Sequence, residues 1–146
     1  MPLIGGGGAG NTAGSPSDIG GNLQYAGGNT WAGLSGWLAV SDGADATLFS
    51  FTSPLRIALE VDLYYSFDYS LINNEKFWGM ELQINGQTVV NPKTDATANF
   101  KMHGMPLENR VKFIAFPGDK VVILGQTDDD GGTFCGGTLI AKGLYE

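Results

Sequence analysis

The sequence predicts an all-β fold: a jelly-roll-like β-sandwich of about eight strands behind an extended Gly-rich N-terminal arm. Three observations predict it. From Pro54 to Ser66, Leu55, Ile57, Leu59, Val61, Leu63 and Tyr65 alternate with Arg56, Ala58, Glu60, Asp62, Tyr64 and Ser66. A period of two over that length is a strand with one dry face, whereas helical spacing would scatter the same residues around a cylinder. Asn85-Gly86 sits between two apolar runs, and Asn-Gly supplies the positive φ that both centres of a type I′ hairpin turn need. The rest of the chain breaks into short alternating runs between turn signals, with no convincing helix, which is the pattern of a sandwich or barrel.

Residues 1–22 form the expected arm. Gly5-Gly6-Gly7-Gly8, Gly10, Gly14, Ser15-Pro16-Ser17 and Gly20-Gly21 leave no buried-face pattern, so the stretch reads as arm or linker. Ordering a residue costs about 1–2 kcal/mol of backbone entropy, and glycine loses the most. An arm of this composition has few side chains to offset that cost, so wherever it is fixed something outside it must hold it. A neighbouring subunit is the simplest holder; a disordered tail is the plain alternative on sequence alone.

The β domain is expected over residues 23–146. Its aromatics begin at Tyr25, Trp31 and Trp37. Thr30–Val40 reads as a strand interrupted by Gly33 and Gly36, where glycine signals a bulge or a close backbone approach. Ser41–Asp45 is a turn, Thr47–Thr52 a strand, and Ser53-Pro54 breaks into the long strand. Phe67–Lys76 is a polar loop. Phe77–Ile84 is a strand with Trp78, Met80, Leu82 and Ile84 on one face, and Gln87–Val90 returns from the Asn-Gly turn. Thr97–His103 is read as a strand, then Gly104-Met105-Pro106 breaks the chain. Arg110–Phe116 alternates. Pro117-Gly118 turns it into Val121–Leu124, apolar on both faces and therefore central. After an acidic loop at Gly125–Gly132, Phe134–Tyr145 supplies the last strand.

Charge narrows the function classes. The 146 residues hold fifteen acids against eight bases, a net charge of −7. That disfavours nucleic acid, whose binding rests on Lys and Arg, and disfavours an anionic membrane surface. No run approaches the length of a membrane-spanning helix, and the first residues lack the charged start and apolar run of a signal peptide. Cys135 is the single cysteine, so no intrachain disulfide can form.

Residues that could carry chemistry are few. His103 is the single histidine, with no nucleophile motif around it, and reads as an ordinary partly exposed side chain. Cys135 reads as a small buried residue. One Cys and one His cannot fill a zinc site. Asp128-Asp129-Asp130-Gly131-Gly132 offers oxygen ligands for Ca²⁺ but lacks the spaced acids of a Ca²⁺ loop, so a solvated acidic loop is the favoured reading. Glu60 and Asp62 share a strand face, as a glycosidase pair would, and are read first as a surface or interface charge cluster beside Arg56. Gly5–Gly8 lacks the Lys-Ser/Thr ending of a phosphate loop. Trp31, Trp37, Trp78, Tyr64, Tyr65 and Tyr69 would suit a sugar platform, but in an all-β chain aromatics are more often core or interface anchors. No cofactor, metal or catalytic residue is expected.

Two resemblances add to this. The opening Met-Pro-Leu-Ile-Gly-Gly-Gly-Gly-Ala-Gly-Asn, and the ending Gly137-Thr138-Leu139-Ile140-Ala141-Lys142-Gly143-Leu144-Tyr145-Glu146, resemble small structural proteins of tailed, especially marine, bacteriophages. In these a Gly-rich head precedes a compact β domain. Phe116-Pro117-Gly118-Asp119-Lys120-Val121 is similar to a turn in C1q- and TNF-like jelly rolls, which commonly trimerise. The resemblance implies a non-enzymatic virion structural protein, a capsid decoration or surface protein made in the host cytoplasm. It would form a homo-oligomer, a trimer being favoured, and bind the major capsid or another virion protein. The resemblance assigns no site residues; the arm reading itself makes Met1, Pro2, Leu3 and Ile4 the expected assembly residues. A carbohydrate- or receptor-binding fibre-tip module and a self-polymerising filament subunit are the alternatives.

Overall fold

The computed structural model describes residues 19–68, 78–90, 109–128 and 133–144. Among them are ten strands and no helix, arranged as two antiparallel sheets packed face to face. The strands are β1 (Gln24–Gly27), β2 (Thr30–Leu34), β3 (Leu38–Val40), β4 (Ala46–Thr52), β5 (Ala58–Asp68), β6 (Trp78–Ile84), β7 (Gln87–Val90), β8 (Asn109–Ala115), β9 (Lys120–Thr127) and β10 (Thr133–Leu144). One sheet runs β1-β2-β10-β5-β8, with β3 also paired to β10; the other runs β4-β9-β6-β7.

The pairing is nested. β6 pairs with β7, β5 with β8, β4 with β9 and β2 with β10. A long hairpin rolled up in this way is a jelly roll of eight strands. The two strands outside that nest are β1 and β3. β1 was not anticipated, because all four of its residues are exposed and give no alternation.

Alternation fixes which side chains enter the core. On β5, Leu59, Val61, Leu63, Tyr65 and Phe67 are buried; facing them from the other sheet are Phe49, Phe51, Trp78, Met80, Leu82, Val121 and Ile123. β9 lies between β4 and β6, as its doubly apolar run predicted.

Sequence boundaries shift: β9 continues through Thr127, into the stretch read as the acidic loop, and three further shifts have a visible reason. The long strand begins at Ala58 rather than at Leu55, and Leu55 is 83% exposed. The backbone of residues 53 and 54 is engaged elsewhere: Ser53 N–H donates to the Asp119 carbonyl, and Gly118 N–H donates to the Ser53 and Pro54 carbonyls. At its other end the strand continues through Phe67, expected in the loop, because Phe67 is buried and pairs with Cys135. Thr30–Val40 is two strands. They divide at Gly36, whose φ of +71° marks the bulge, while a Cβ on Gly33 would run into the Asn22 carbonyl.

The Asn85-Gly86 turn has φ of 54° and 81°, the left-handed pair that type I′ requires. It is bound to a second turn at Pro117-Gly118. The Asn85 side-chain amide donates through Nδ2 to the Asp119 carboxylate and accepts at Oδ1 from Lys120 N–H, while that carboxylate also accepts from Phe116 N–H. At the other end of the chain, Ile19 is already in the core, and its carbonyl accepts from Thr52 N–H at 2.9 Å. The last residues of the stretch read as the arm are therefore bound to the sandwich edge. Met1, Pro2, Leu3 and Ile4 lie outside the described residues.

Candidate functional site

The most distinctive surface is the outer side of the six-stranded sheet. The alternation that sends Cys135, Leu139 and Ala141 into the core turns Phe134, Thr138, Ile140, Lys142 and Leu144 of β10 outward. Register places Tyr64 beside Thr138, Asp62 beside Ile140 and Glu60 beside Lys142, with Arg110, Lys112 and Ile114 of β8 beyond them. Leu34 flanks Thr138 from the β2 side.

The segment between β2 and β3 adds Trp37 to this face. β2 and β3 pair with separate parts of β10, and residues 35–37 cross over Gly136 between them. Ser35 N–H donates to the Gly137 carbonyl at 3.0 Å, and Gly137 N–H donates to Ser35 Oγ at 2.8 Å. Gly136 must lack a side chain, since a Cβ there would lie 2.6 Å from the Gly36 carbonyl oxygen and 3.5 Å from the Trp37 ring. The loop is thus tied down while the Trp37 indole stays 58% exposed. Trp31 and Trp78 are buried.

Charges on this face are paired laterally. Asp62 accepts from Arg110 Nε at 2.8 Å and Nη2 at 2.7 Å, a two-pronged contact. The Arg110 guanidinium also lies 5.0 Å from the centre of the Tyr64 ring, within cation–π range. The hydrogen bonds from Arg110 hold the Asp62 carboxyl below its ordinary value of 3.8. Lys112 Nζ is 3.6 Å from Glu60. Glu60 and Asp62, weighed in the sequence as a glycosidase pair, are each bound to a base of the neighbouring strand.

A second polar cluster sits on the other sheet. Glu81 alternates away from the core-facing Met80 and Leu82, yet is only 7% exposed. Its carboxylate accepts from Gln83 Nε2 at 2.8 Å, from Thr88 Oγ1 at 2.7 Å and from Gln126 Nε2. Gln126 also donates to Asp45 at 3.0 Å, so its amide bridges two carboxylates. Gln126 Oε1 is buried and has no hydrogen-bond partner among the described residues. Sequence reading missed this cluster, because its members come from four separated segments, Gln126 being read in the acidic loop, Asp45 in a turn and the others as ordinary strand positions.

The remaining sequence candidates disperse. Cys135 is fully buried, and burial pushes its thiol up to about 12. Tyr65 is buried and likewise raised to about 12. Asp128 is half-buried at the end of β9; Asp129 and Asp130, His103, Tyr69 and the Thr97–His103 strand fall outside the described residues. Among the described residues no three His, Cys, Asp or Glu side chains converge as metal ligands, and no helix is long and apolar enough to cross a membrane. Comparisons with protein-family models, with curated proteins and with solved structures give no match.

Proposed function

We propose that this chain is a non-enzymatic virion structural protein, a capsid decoration or surface protein that self-associates and binds the major capsid or another virion protein. The observation that carries the self-association is the outer face of the six-stranded sheet. It presents Leu34, Trp37, Phe134 and Ile140 to solvent at 43–70% exposure, and several large apolar side chains exposed on one sheet face favour an interaction surface. The virion assignment rests on the resemblance of the two chain ends to small phage structural proteins. The Gly-rich residues 1–18 precede Ile19, which is bound beside β4.

Mass spectrometry of particles released by the host that carries the coding sequence tests this reading. The chain is expected in purified virions, in a fixed ratio to the major capsid protein. Its absence from intact particles would overturn the virion role.

One observation favours a second reading, glycan binding. Trp37 is an exposed ring on a tethered loop, and Ser66, Thr138 and the Tyr64 hydroxyl share its face. Stacking on an aromatic ring with hydroxyl partners around it is a chemistry that suits sugars. Saturable heat of glycan binding in titration calorimetry, lost in Trp37→Ala, would support it over self-association.

A further inference from the structure

The outer face has the extent and the charge balance of a surface made for its own copy. β10 runs 12 residues, about 40 Å at ~3.3 Å per residue, and five strands at ~4.8 Å spacing span about 24 Å. With the shorter flanking strands allowed for, the face covers on the order of 800 Å², about one partner's share of a standard stable interface. Apolar side chains stand at both ends and in the middle: Leu34, Trp37 and Phe134 toward one end, Ile140 at the centre, Ile114 and Leu144 toward the other.

Charge points to the occupant. Two copies of a chain with net charge −7 repel each other over most of their surface. On this face the described side chains include Arg110, Lys112 and Lys142 against Glu60 and Asp62, and two of these bases are already paired to the two acids. It is a place where two acidic molecules meet without a local excess of negative charge. Pre-formed ion pairs also reach the interface with partners in place, which lessens the cost of drying them.

We propose that a second copy packs on this face, sheet against sheet, as an isologous pair in which each copy offers the same surface. This deepens the self-association reading and rests on it. Ile140 is the central residue of the contact and Trp37 its edge anchor.

Sedimentation velocity over a concentration series, with the full chain and Ile140→Lys, tests the pairing. Ile140 points away from the core, so the variant is expected to keep the far-ultraviolet circular dichroism spectrum; Leu34→Glu, at the 70% exposed position, serves if it does not. The full chain is expected as two copies and the variant as one. Trp37 is expected to be shielded from acrylamide quenching in the pair and open to it in the variant. A full chain that pairs, with the variant pairing equally well, overturns this face while leaving self-association standing. A full chain that stays single at all concentrations overturns both. A three-copy assembly overturns the isologous arrangement. A single copy with Trp37 shielded until residues 1–18 are removed shows the chain's own arm on the face, which also overturns the proposal.

Discussion

At the scale of single residues, packing under β10 leaves no room at Gly125. A Cβ there would lie 2.5 Å from Cys135 Sγ and 3.3 Å from Leu48 Cδ1. Gly125→Ala is therefore expected to cost about 1–3 kcal/mol, the usual penalty of overpacking. Removing the obstructing sulfur should shrink that penalty, so the cost of Gly125→Ala in a Cys135→Ala background should be smaller. Urea denaturation of the four species closes the cycle, and equal costs in both backgrounds would refute the contact. Asp62 offers a pH test. Its carboxyl is held below 3.8 by Arg110, so in the folded state it stays ionised at a pH where the unfolded chain binds a proton. A lowered folded pKa contributes stability that is complete above the unfolded value and is lost as pH falls through the folded one. Asp62→Asn should flatten the fall in urea midpoint below pH 3.8 relative to the unmodified chain.

Within the elements, the same alternation that makes β6 a strand creates a liability at Glu81. Met80 and Leu82 enter the core, which leaves Glu81 on the far side of the sheet but still buried. Three donors converge on it, from Gln83, Thr88 and Gln126. Glu81→Ala would remove the acceptor these donors share and leave the buried Gln126 amide with Asp45 alone; a buried donor that loses its acceptor costs about 1–3 kcal/mol, and this one, partly satisfied, is expected at the low end. Glu81→Gln keeps an acceptor oxygen and should cost less. Thermal melts of both variants check the order, and equal losses would show that the hydrogen bonds contribute nothing. Strands such as β4, β5, β6 and β10 were legible in the sequence because a half-buried strand writes its two faces as alternation. The Asn85-Gly86 turn was legible because its backbone needs those residues. β1 was not, since a strand exposed on both faces writes nothing. Leu55 misled because its alternation continues past the point where the backbone of residues 53 and 54 turns to bond the 117–119 turn.

For the whole molecule, strand count alone could not give the nested order, which depends on pairings between residues far apart, such as Trp31 with Ala141. Nor could it give the outer face as a surface, because Trp37 joins Ile140 and Tyr64 only through the loop over Gly136. The arm has a clearer limit in three dimensions than in sequence. Ile19 contributes to the core and Asn22 donates to the Leu34 carbonyl. Deleting residues 1–18 should leave the urea midpoint unchanged, whereas deleting residues 1–22 removes Ile19 and should cost about 2–4 kcal/mol, as other losses of a buried aliphatic side chain do. Equal midpoints for the two truncations would mean that Ile19 is dispensable.

The strand in the middle of the large sheet is also the last of the described strands in chain order. β10 joins β2, β3 and β5, so during synthesis those three have no common neighbour until residue 144 has left the ribosome. Until then Leu59, Val61, Leu63 and Tyr65 of β5 are without the strand that completes their layer, an open invitation to aggregation. The nascent chain must wait in that state and then close in one late event, so stalled synthesis short of residue 133 should yield insoluble chains rather than a smaller sandwich.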